Sequence, residues 1–405
     1  MKKMAGKPLI CGIISEFNPF HTGHQALIEA ARLHGATHIV AVMSGNFVQR
    51  GEPAAFSKWA RAEMALNCGV DLVVDLPLPW ALSGAENFAF GGVSLLESLG
   101  CVDWIAFGSE CGDAARLADA AQCLLSPSIQ DSLRTRLQTG CTFAKARQEA
   151  VRELFGDPMA ELLASPNNIL GIEYCKALQT LGSAILPFTI RRGGAAHDSG
   201  GLLEDGQTPS SSQIRAVLRN GGLPGPQMPE KARDIALREI KAGSAPSDPA
   251  LLERAILSQL RRMDETMFSR LPDLSEGLDH RLYEASRSAG SLETLFDSVK
   301  TKRYPHARIR RLVYSAYLGI CRDELPDKPP YLHVLGFTAR GREILKCAKI
   351  STKVPIITNF SDSLSLDNPS RHVIELESMA SDLFSLSLPC IRPCGLEWTS
   401  KILTV

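Results

Sequence analysis

Apolar runs and helical patterns alternate through the first 190 residues of the chain. Short apolar runs that predict buried strands lie at residues 9–14, 38–43, 70–77, 104–108 and 184–190. Between the first four runs, apolar residues recur at helical spacing over residues 24–33, 57–66 and 88–99. Strands separated by helices pair in parallel, so this order predicts an α/β fold with a doubly wound parallel sheet.

The remaining segments favour helices and loops. Residues 111–164 have helical composition and predict a helical insertion, whereas residues 199–209 are typical of a mobile loop. Gly and Pro are frequent over residues 221–248, and helical patterns dominate after that stretch, with a short strand-like piece at residues 354–358. The predicted domains are an α/β domain at residues 1–220 and a mainly helical domain at residues 221–405.

Composition narrows the class of protein. The chain has 405 residues, of which 44% are hydrophobic and 22% charged, as in ordinary globular proteins. The formal net charge is zero, so any contact with nucleic acid must come from a local basic patch. No apolar run approaches a membrane span and Met1-Lys2-Lys3 precedes no secretory segment, which predicts a cytoplasmic protein. The eleven cysteines include no Cys-x-x-Cys pair, so we expect reduced thiols and no metal site built by the protein.

The clearest candidate site follows the first predicted strand. Asn18-Pro19 and Gly23 predict a turn, and His21 and His24 lie where the strand gives way to a helix. A helix start offers unpaired N–H groups and partial positive charge, and imidazoles there can donate hydrogen bonds to phosphate. The pattern favours a nucleotide site that breaks an α–β phosphate bond. The alternative is a pair of ordinary turn histidines.

A run of serines before a later helix is the second candidate. Ser210, Ser211 and Ser212 can cap the helix and supply hydroxyl groups. Arg215 lies about one turn further along, where its guanidinium can reach phosphate. Taken alone, the segment favours a plain capped helix. Together with the two histidines, it predicts further ligands for a triphosphate.

These motifs belong to longer blocks of sequence. The blocks are residues 15–24 (SEFNPFHTGH), 43–51 (MSGNFVQRG), 74–77 (VDLP), 165–174 (SPNNILGIEY), 301–304 (TKRY) and 335–337 (LGF). They resemble the bacterial tRNA(Met) cytidine acetate ligase family, within the HIGH-type nucleotidyltransferase-like superfamily. The resemblance covers nearly the whole chain. It implies that the first domain is a Rossmann-like, ATP-binding catalytic domain and that the second binds tRNA.

The resemblance also implies a set of ATP-site residues. They run from the first strand into the first helix, recur at the ends of later strands and helices, and comprise Ile14, Ser15, Glu16, Phe17, Asn18, Pro19, Phe20, His21, Thr22, Gly23, His24, Gln25, Ala26, Leu27, Gly108, Asn168, Arg191, Arg192, Ser211, Ser212 and Arg215. His21 and His24 would be catalytic. From the residues alone, Asn168 could equally cap a helix, and Arg191 and Arg192 would more often be a solvated pair.

The implied reaction has two steps. Acetate attacks the α-phosphate of ATP to give acetyl-adenylate and pyrophosphate, and the N4 amine of the wobble cytidine in elongator tRNA(Met) then takes the acetyl group. Charge develops on pyrophosphate in the first step, where His21 and His24 could stabilise it. The resemblance thus implies ATP as substrate, with Mg²⁺ carried by the triphosphate. Its partners are acetate and the tRNA, with no membrane and no obligate protein partner.

A basic run supplies the candidate contact with RNA. Six lysines and arginines fall within residues 300–311. The predicted RNA-binding residues are Lys302, Arg303, Tyr304, Arg308 and Arg311. Basic groups can hold phosphates, and the tyrosine could stack on an unpaired base. The alternative is a solvated helix face.

Three further charged residues allow more than one interpretation. Lys58 and Arg61 lie on one predicted helix face and could face acetate, tRNA phosphate or solvent. Solvent is favoured for each of them alone. Glu86 could be the base for the N4 amine, although a carboxylate that stabilises a helix start is the simpler interpretation.

Two other functions fit part of the sequence. A nucleotidyltransferase that adenylates a small phosphorylated metabolite would share the histidine chemistry but would need neither the basic run nor the helical half. The other is a protein that senses nucleotides or binds RNA and keeps only a relic of the catalytic site. The intact His21, His24, Ser211 and Arg215 weigh against a relic.

Overall fold

The computed structural model describes residues 8–138, 141–192, 211–275, 277–302 and 304–405. The predicted loop at residues 199–209, Ser210 and Arg303 lie outside the described residues. The strands are β1 (Ile10–Ser15), β2 (His38–Ser44), β3 (Phe47–Val48), β4 (Glu52–Pro53), β5 (Leu72–Leu76), β6 (Trp104–Ser109), β7 (Leu186–Arg191), β8 (Leu332–Phe337), β9 (Ile356–Ile357) and β10 (Leu403–Thr404).

Helices make up most of the remaining described chain. Those before β7 are α1 (Thr22–Leu33), α2 (Lys58–Asn67), α3 (Leu78–Ala81), α4 (Ala85–Leu99), α5 (Ala114–Leu125), α6 (Pro127–Gln138), α7 (Phe143–Phe155), α8 (Asp157–Leu162) and α9 (Pro166–Leu181). Those after β7 are α10 (Ser211–Arg219), α11 (Glu230–Lys241), α12 (Glu253–Arg262), α13 (Glu265–Ser269), α14 (Leu278–Ser288), α15 (Leu292–Val299), α16 (His306–Tyr317), α17 (Ala339–Ser351), α18 (Asn368–Ser385) and α19 (Leu396–Thr399). Short 3₁₀ turns at Pro249–Leu252, Arg322–Glu324 and Phe360–Ser365 connect some of them.

The central sheet follows the predicted α/β pattern. Its order is β10–β8–β5–β2–β1–β6–β7, with β9 beside β8. The five strands β5–β2–β1–β6–β7 are all parallel to one another. In β1, Ile10 and Ile14 pack on one face of the sheet, and Cys11 and Ile13 pack on the other. Both faces are covered, which explains why these strands are continuous apolar runs in the sequence.

The direction in which strands are added reverses at β1. The chain places β2 and β5 on one side of β1, and then places β6 and β7 on the other side. In such sheets a crevice forms beyond the carboxyl ends of the strands at the reversal point. The predicted residues at the ends of β1, β6 and β7 therefore share one edge of the sheet, called here the carboxyl edge.

The second half of the chain extends the same sheet. β8 pairs antiparallel with β5, and β10 pairs parallel with β8, so the sheet is mixed at this end. Sequence analysis predicted no strand at either place, because both are short runs among helical patterns. Strands from both sides of residue 220 thus share one sheet, and the division into two domains stays a prediction.

Helices cover both faces of the sheet and enclose a further core. On one face α4 and α9 pack with α17, and on the other face α1 and α2 pack with α11. The segment from α12 to α16, with α18, surrounds a core that includes Ile256, Leu282 and Ile309. Phe47 and Leu78, which follow strands of the sheet, join this core. The helical region is therefore continuous with loops at the carboxyl edge.

Some general properties follow from the described residues. None of the described helices is both long and apolar enough to cross a membrane. All eleven cysteines are free thiols. Among the described side chains, Glu265, His280 and Glu284 bring possible ligand atoms within 4.8 Å of one another, but all three are exposed, as acidic groups without an ion commonly are.

Candidate active site

His21 and His24 face each other at the start of α1. Their ring centroids lie 3.8 Å apart, with 28° between the planes. Nδ1 of His21 accepts the N–H of Gly23 at 3.0 Å, and Nδ1 of His24 accepts the N–H of His21 at 3.2 Å. Because each Nδ1 accepts a hydrogen bond, a neutral ring must carry its proton on Nε2. The reciprocal bonds therefore fix both tautomers and orient two Nε2–H groups.

The backbone donors of α1 are already used. The N–H of Thr22 donates to the carbonyl of Gln227 at 2.9 Å, and the N–H of His24 donates to the carbonyl of His21 at 2.9 Å. The N–H of Gly23 is taken by the imidazole of His21. The expectation of unpaired N–H groups at this helix start is therefore wrong. That the imidazoles of this helix start donate to a ligand stays a prediction.

The surroundings of His24 keep its ring uncharged. Burial lowers its pKa well below the usual value, and the nearby His21 and Arg192 lower it further. Phe17 and Phe20 supply apolar walls, with ring centroids 4.9 and 5.5 Å from that of His24. At neutral pH His24 is thus a neutral hydrogen-bond donor.

Neighbouring segments hold the turn between β1 and α1. Phe17 has φ +44°, a conformation that costs energy for a residue with a side chain. The Asn18 side-chain oxygen accepts the N–H of Ala55 at 2.8 Å, and the Asn18 carbonyl accepts from Arg215 at 2.8 Å. The Glu16 carbonyl accepts from a guanidinium at 2.6 Å. These bonds compensate for the strained backbone and fix the loop that presents the histidines.

That guanidinium belongs to Arg61, which is completely buried. It also donates to the carbonyls of Phe56 at 2.9 Å, of Ser44 at 3.0 Å, and of Gly45. The prediction that Arg61 faces solvent, acetate or tRNA phosphate is therefore wrong. Because its donors end on backbone carbonyls, Arg61 ties the loop after β1, which contains Glu16, to the loop after β2.

The same prediction is wrong for Lys58, because this side chain is also completely buried. Its Nζ lies 2.6 Å from Asp75, 2.5 Å from Glu397 and 3.4 Å from Glu377. Burial by itself lowers the pKa of the ammonium, but the three carboxylates outweigh it and raise that pKa. Burial and the charge of Asp75 raise the pKa of Glu377 to about 8. These four residues, called here the buried charge cluster, join α2 and β5 to α18 and α19.

The ends of β6 and β7 meet the start of α9. A Cβ on Gly108 would lie 2.7 Å from Cγ of Arg192, so glycine allows that side chain to cross the strand end. Arg192 donates to the Asn167 side chain at 2.9 Å. Asn168 is buried, and its oxygen accepts the N–H of Cys111 at 3.0 Å. The structure brings these predicted residues together, and their bonds to a nucleotide stay predictions.

The serine-rich segment enters the site through α10. Ser211 begins that helix, and Ser212 accepts a hydrogen bond from Arg50 at 3.1 Å. Arg215 is buried and pairs with Glu52 at 3.2 Å. Besides this pair, it donates to the loop before α1, so the described contacts of Arg215 are those of a group that positions the loop. Its contact with phosphate stays a prediction.

Other predicted ATP residues lie further from the histidine pair along their elements. Gln25 and Ala26 are in the second turn of α1, where the Gln25 amide donates to Glu29 at 2.9 Å. Arg191 is exposed at the last position of β7, beside Ser109 of β6. Roles for these residues in binding ATP stay predictions.

Glu110 is a structural residue of the site that sequence reasoning missed. Its carboxylate accepts the N–H of Asn167 at 3.1 Å and the N–H of Asn168 at 2.7 Å. Glu110 therefore satisfies the open start of α9, where no side chain of the helix does so. The available signal was its position directly after an apolar run that predicts a strand, which matches Glu16 after β1.

The basic run forms the approach to α16, and its tyrosine is buried. Tyr304 is 6% exposed and packs in the helical core. This burial leaves no open ring face for the predicted stacking on a base. Arg308 donates to the carbonyl of Asp273 at 2.6 and 3.1 Å, and Arg311 donates to the carbonyl of Gln49 at 3.4 Å. The arginines thus hold neighbouring loops and are not a freely solvated face.

Three predicted RNA-binding residues nevertheless share one cavity. Lys302, Arg308 and Arg311 line a space of about 720 Å³ between α16 and the starts of α4, α7 and α9, called here the α16 cavity. Glu86 also lines it, with its carboxylate 2.6 Å from the Nζ of Lys176. Whether Glu86 acts as a base stays a prediction, and its observed contact is an ion pair.

Comparison with known proteins agrees with this geometry. A family model described as HIGH Nucleotidyl Transferase matches residues 9–393. A tRNA(Met) cytidine acetate ligase from Caldanaerobacter subterraneus subsp. tengcongensis is 42% identical over 386 residues, which cover 93% of this chain and 94% of the relative. The chain belongs to the tRNA(Met) cytidine acetate ligase family.

Further members support this assignment. A relative of the same name from Acetivibrio thermocellus is 36% identical over 413 residues, covering 97% of this chain and 99% of the relative. The apo crystal structure of Thermotoga maritima TmcAL has a TM-score of 0.93 and 32% identity, over 98% of this chain and 99% of that one. The same protein bound with alpha-thio ATP has a TM-score of 0.90, with the same identity and coverage. The family fold is therefore shared from end to end.

Proposed function

We propose that this protein uses ATP to join acetate to the N4 amine of the wobble cytidine of elongator tRNA(Met), through an acetyl-adenylate. Its near-full-length similarity to ligases of that name, and an ATP-analogue complex of a structural neighbour, support the reaction class. The observation that carries the proposal in this chain is the stacked His21–His24 pair at the carboxyl edge, with both Nδ1 atoms accepting hydrogen bonds.

In the first step an acetate oxygen attacks the α-phosphorus of ATP, and the bond from that phosphorus to the bridging oxygen breaks. Negative charge collects on the departing pyrophosphate. The two Nε2–H groups stabilise this charge by hydrogen bonding, without having to give up a proton. The neutrality of His24 suits this role, because its buried position makes a charged ring unfavourable.

We assign Mg²⁺ to the substrate, as MgATP. The side chains around the histidine pair are mainly imidazoles, guanidiniums, amides and hydroxyls, which suit phosphate better than a hard cation. The carboxylate of Glu16 accepts the N–H of Gln49 at 2.9 Å, and burial raises its pKa. These contacts fit a loop-holding role for Glu16.

In the second step the cytidine N4 attacks the acetyl carbonyl, the carbon–oxygen bond to AMP breaks, and one N4 proton is lost. Positioning is the main demand on the protein, because AMP is already a good leaving group. The RNA backbone lies along the basic run, where Lys302 is exposed.

The overall reaction can be tested with labelled acetate. Purified protein is incubated with elongator tRNA(Met) and radiolabelled acetate, with and without ATP, and the RNA is digested to nucleosides. We expect label in N4-acetylcytidine only when ATP is present. Label that never reaches RNA, with pyrophosphate formed only when a small phosphorylated acceptor is added, would favour the alternative nucleotidyltransferase.

The histidine pair can be tested through the first step alone. We expect His21→Asn and His24→Asn to lower acetate-dependent ATP–pyrophosphate exchange by about 100-fold or more each, the usual loss for a transition-state donor. His34→Asn is the matched control, since this ring lies just beyond the other end of α1 and stacks on Phe188 at 4.1 Å. Wild-type exchange in both His21 and His24 variants would contradict their assigned role.

A further inference from the structure

The α16 cavity has the size and shape of a ligand site. Its volume of about 720 Å³ is within the range that encloses small molecules and nucleotides. One wall is formed by α16, with Lys302 and Pro305 before it. The opposite wall is formed by the starts of α4, α7 and α9, which contribute Asn87, Phe143 and Ile169. The cavity therefore lies between α16 and three helices of the first half of the chain.

Phe143 gives this cavity an open aromatic surface. It is the first residue of α7 and is 50% exposed, although it is a large apolar side chain. The preceding Thr142 caps the helix by accepting the N–H of Lys145 at 3.2 Å. This cap fixes the position of the Phe143 backbone, from which the ring extends. The guanidinium of Arg147 lies 5.7 Å from the ring centroid. A half-exposed ring beside charged side chains is the kind of surface on which unpaired bases stack.

The two walls differ in charge. On the α16 side, Arg308 and Arg311 share one carboxylate, that of Asp273, at 3.5 and 3.6 Å. Lys302 on the same side is exposed, and no ion pair joins it to a carboxylate in the described part of the chain. Three cations thus face one anion, which leaves a net charge of about +2 to attract phosphate.

The wall that holds Phe143 is electrically balanced. Glu173 pairs with Arg147 at 2.8 Å and with Lys176 at 3.0 Å, and Lys176 also pairs with Glu86 at 2.6 Å. These ion pairs balance two anions with two cations, of which Lys176 does not itself line the cavity. A neutral base is accommodated better beside this wall than beside the α16 wall, while its phosphates are attracted to the latter.

The cavity also lies next to the predicted ATP site. On α9, Asn168 belongs to the predicted ATP site, whereas Ile169 lines the cavity. On the other side, Arg311 donates to the carbonyl of Gln49, and the N–H of Gln49 donates to Glu16 in the loop that presents the histidines. The two spaces are thus linked through α9 and through the Arg311–Gln49–Glu16 contacts, which suits transfer of an acetyl group from one to the other.

From these observations we infer that the α16 cavity receives the unpaired wobble cytidine, with Phe143 stacking on its base and Lys302, Arg308 and Arg311 facing its phosphates. This inference rests on the proposed function. It replaces the buried Tyr304 by Phe143 as the stacking residue. Phe143 is a substrate-positioning group for the second step and has no part in adenylation.

The test compares Phe143→Ala with Phe143→Tyr. We expect Phe143→Ala to lower kcat/KM for acetyl transfer to tRNA(Met) by about 10- to 100-fold, as expected for the loss of one base stack, and Phe143→Tyr to keep transfer within a few-fold of the wild type. Phe155→Ala is the matched control, because Phe155 is 39% exposed at the other end of α7 and does not line the cavity.

Acetate-dependent ATP–pyrophosphate exchange, measured on the same preparations, separates the possible failures. If the wild type shows no exchange, the proposed function fails. If exchange and transfer are both normal in Phe143→Ala, the stacking assignment fails while the proposed function stands. Loss of both exchange and transfer in Phe143→Ala would also overturn the stacking assignment, since the residue would then act on adenylation or folding.

A spectroscopic probe reports stacking directly. An anticodon stem–loop with 2-aminopurine at the wobble position should lose fluorescence on binding to the wild type, because stacking on a ring quenches this base. We expect Phe143→Ala to bind with little quenching and Phe155→Ala to quench like the wild type. Equal quenching by all three proteins would exclude Phe143 as the stacking partner.

Discussion

Arg61 shows how a charged side chain can support a candidate active site through the protein backbone. Its guanidinium reaches four backbone carbonyls, including those of Glu16 and Ser44 at the ends of adjacent strands. Burial lowers its pKa to about 10, so the group stays charged at neutral pH. Since a lysine has no planar set of five donors, it could not make these contacts together.

We therefore expect Arg61→Lys to reduce the free energy of unfolding by about 3 kcal/mol or more, because buried carbonyls lose their donors. Urea denaturation followed by circular dichroism measures the change. Arg238→Lys is the matched control, since Arg238 is 53% exposed in its pair with Glu63 and should change stability by less than about 1 kcal/mol. Equal stability of the two variants would argue against a carbonyl-binding role for Arg61.

Sequence reasoning located the histidine pair that we propose is catalytic, but not the residues that support it. His21 and His24 stand out because their spacing, the turn and the helix are all local features. Arg61 and Lys58 do not stand out, because a basic residue within a helical pattern is expected to be exposed to solvent. Their partners come from distant segments: Glu377, for example, is 319 residues from Lys58. Burial of this kind is set by tertiary packing.

At the scale of elements, the buried charge cluster connects the C-terminal helices with the first half of the chain. Glu377 is on α18 and Glu397 on α19, and both reach the ammonium of Lys58 on α2. The Glu377 carboxylate also accepts the N–H of Leu78 at the start of α3. The cluster is costly to desolvate, so it must be satisfied as a unit.

The raised pKa of Glu377 gives the cluster a pH dependence. The folded protein holds a proton on this carboxyl up to about pH 8, whereas the unfolded chain releases it near 4.5. Its contribution to stability is therefore fully present below about pH 4.5 and is lost as pH rises towards 8.

We expect Glu377→Gln to remove this decline, so the free energy of unfolding should fall less between pH 5 and pH 8 than it does in the wild type. Urea midpoints across that range measure the slope. Glu375→Gln, exposed on the same helix, should keep the wild-type slope. If both variants kept it, the titration would not belong to Glu377.

The elements that sequence predicted are those with local signals. Strands β1, β2, β5, β6 and β7 were predicted because each is an apolar run bounded by helical or turn residues. β8 was missed because Leu332–Phe337 is one short run, with a histidine and a glycine, among helical patterns. Its antiparallel pairing with β5 is a long-range contact that periodicity does not report.

At the scale of the whole molecule, RNA must be held by a protein with no net charge. The inferred answer is the α16 cavity, where Asp273 is the one carboxylate among the described residues that pairs with Arg308 and Arg311, and Lys302 lies beside them. The hairpin of β3 and β4 packs closely against α16. A Cβ on Gly51, which has φ +74°, would lie 2.7 Å from the backbone nitrogen of Arg311. Glycine is therefore required where this hairpin meets α16.

We expect Lys302→Ala to weaken tRNA(Met) binding and to reduce the slope of log affinity against log salt by about 1, since one phosphate contact is lost. Fluorescence anisotropy between 50 and 200 mM KCl measures the slope. Lys300→Ala is the matched control, because Lys300 is exposed two residues earlier and does not line the cavity. Identical slopes for the two variants would place the RNA backbone elsewhere.

The pairing of β5 with β8 has a consequence for the order of synthesis. A ribosome has made both histidines and Arg215 long before it makes residues 332–337, 377 and 397. Until then β5 has an open edge and Lys58 lacks two of its carboxylates, which disfavours the folded state. We therefore expect the proposed ATP site to mature only after the predicted RNA-binding run at 300–311 has emerged. Chains left incomplete by interrupted translation would then be unable to make acetyl-adenylate. Any chain able to make it would also carry the segment proposed to hold the acceptor.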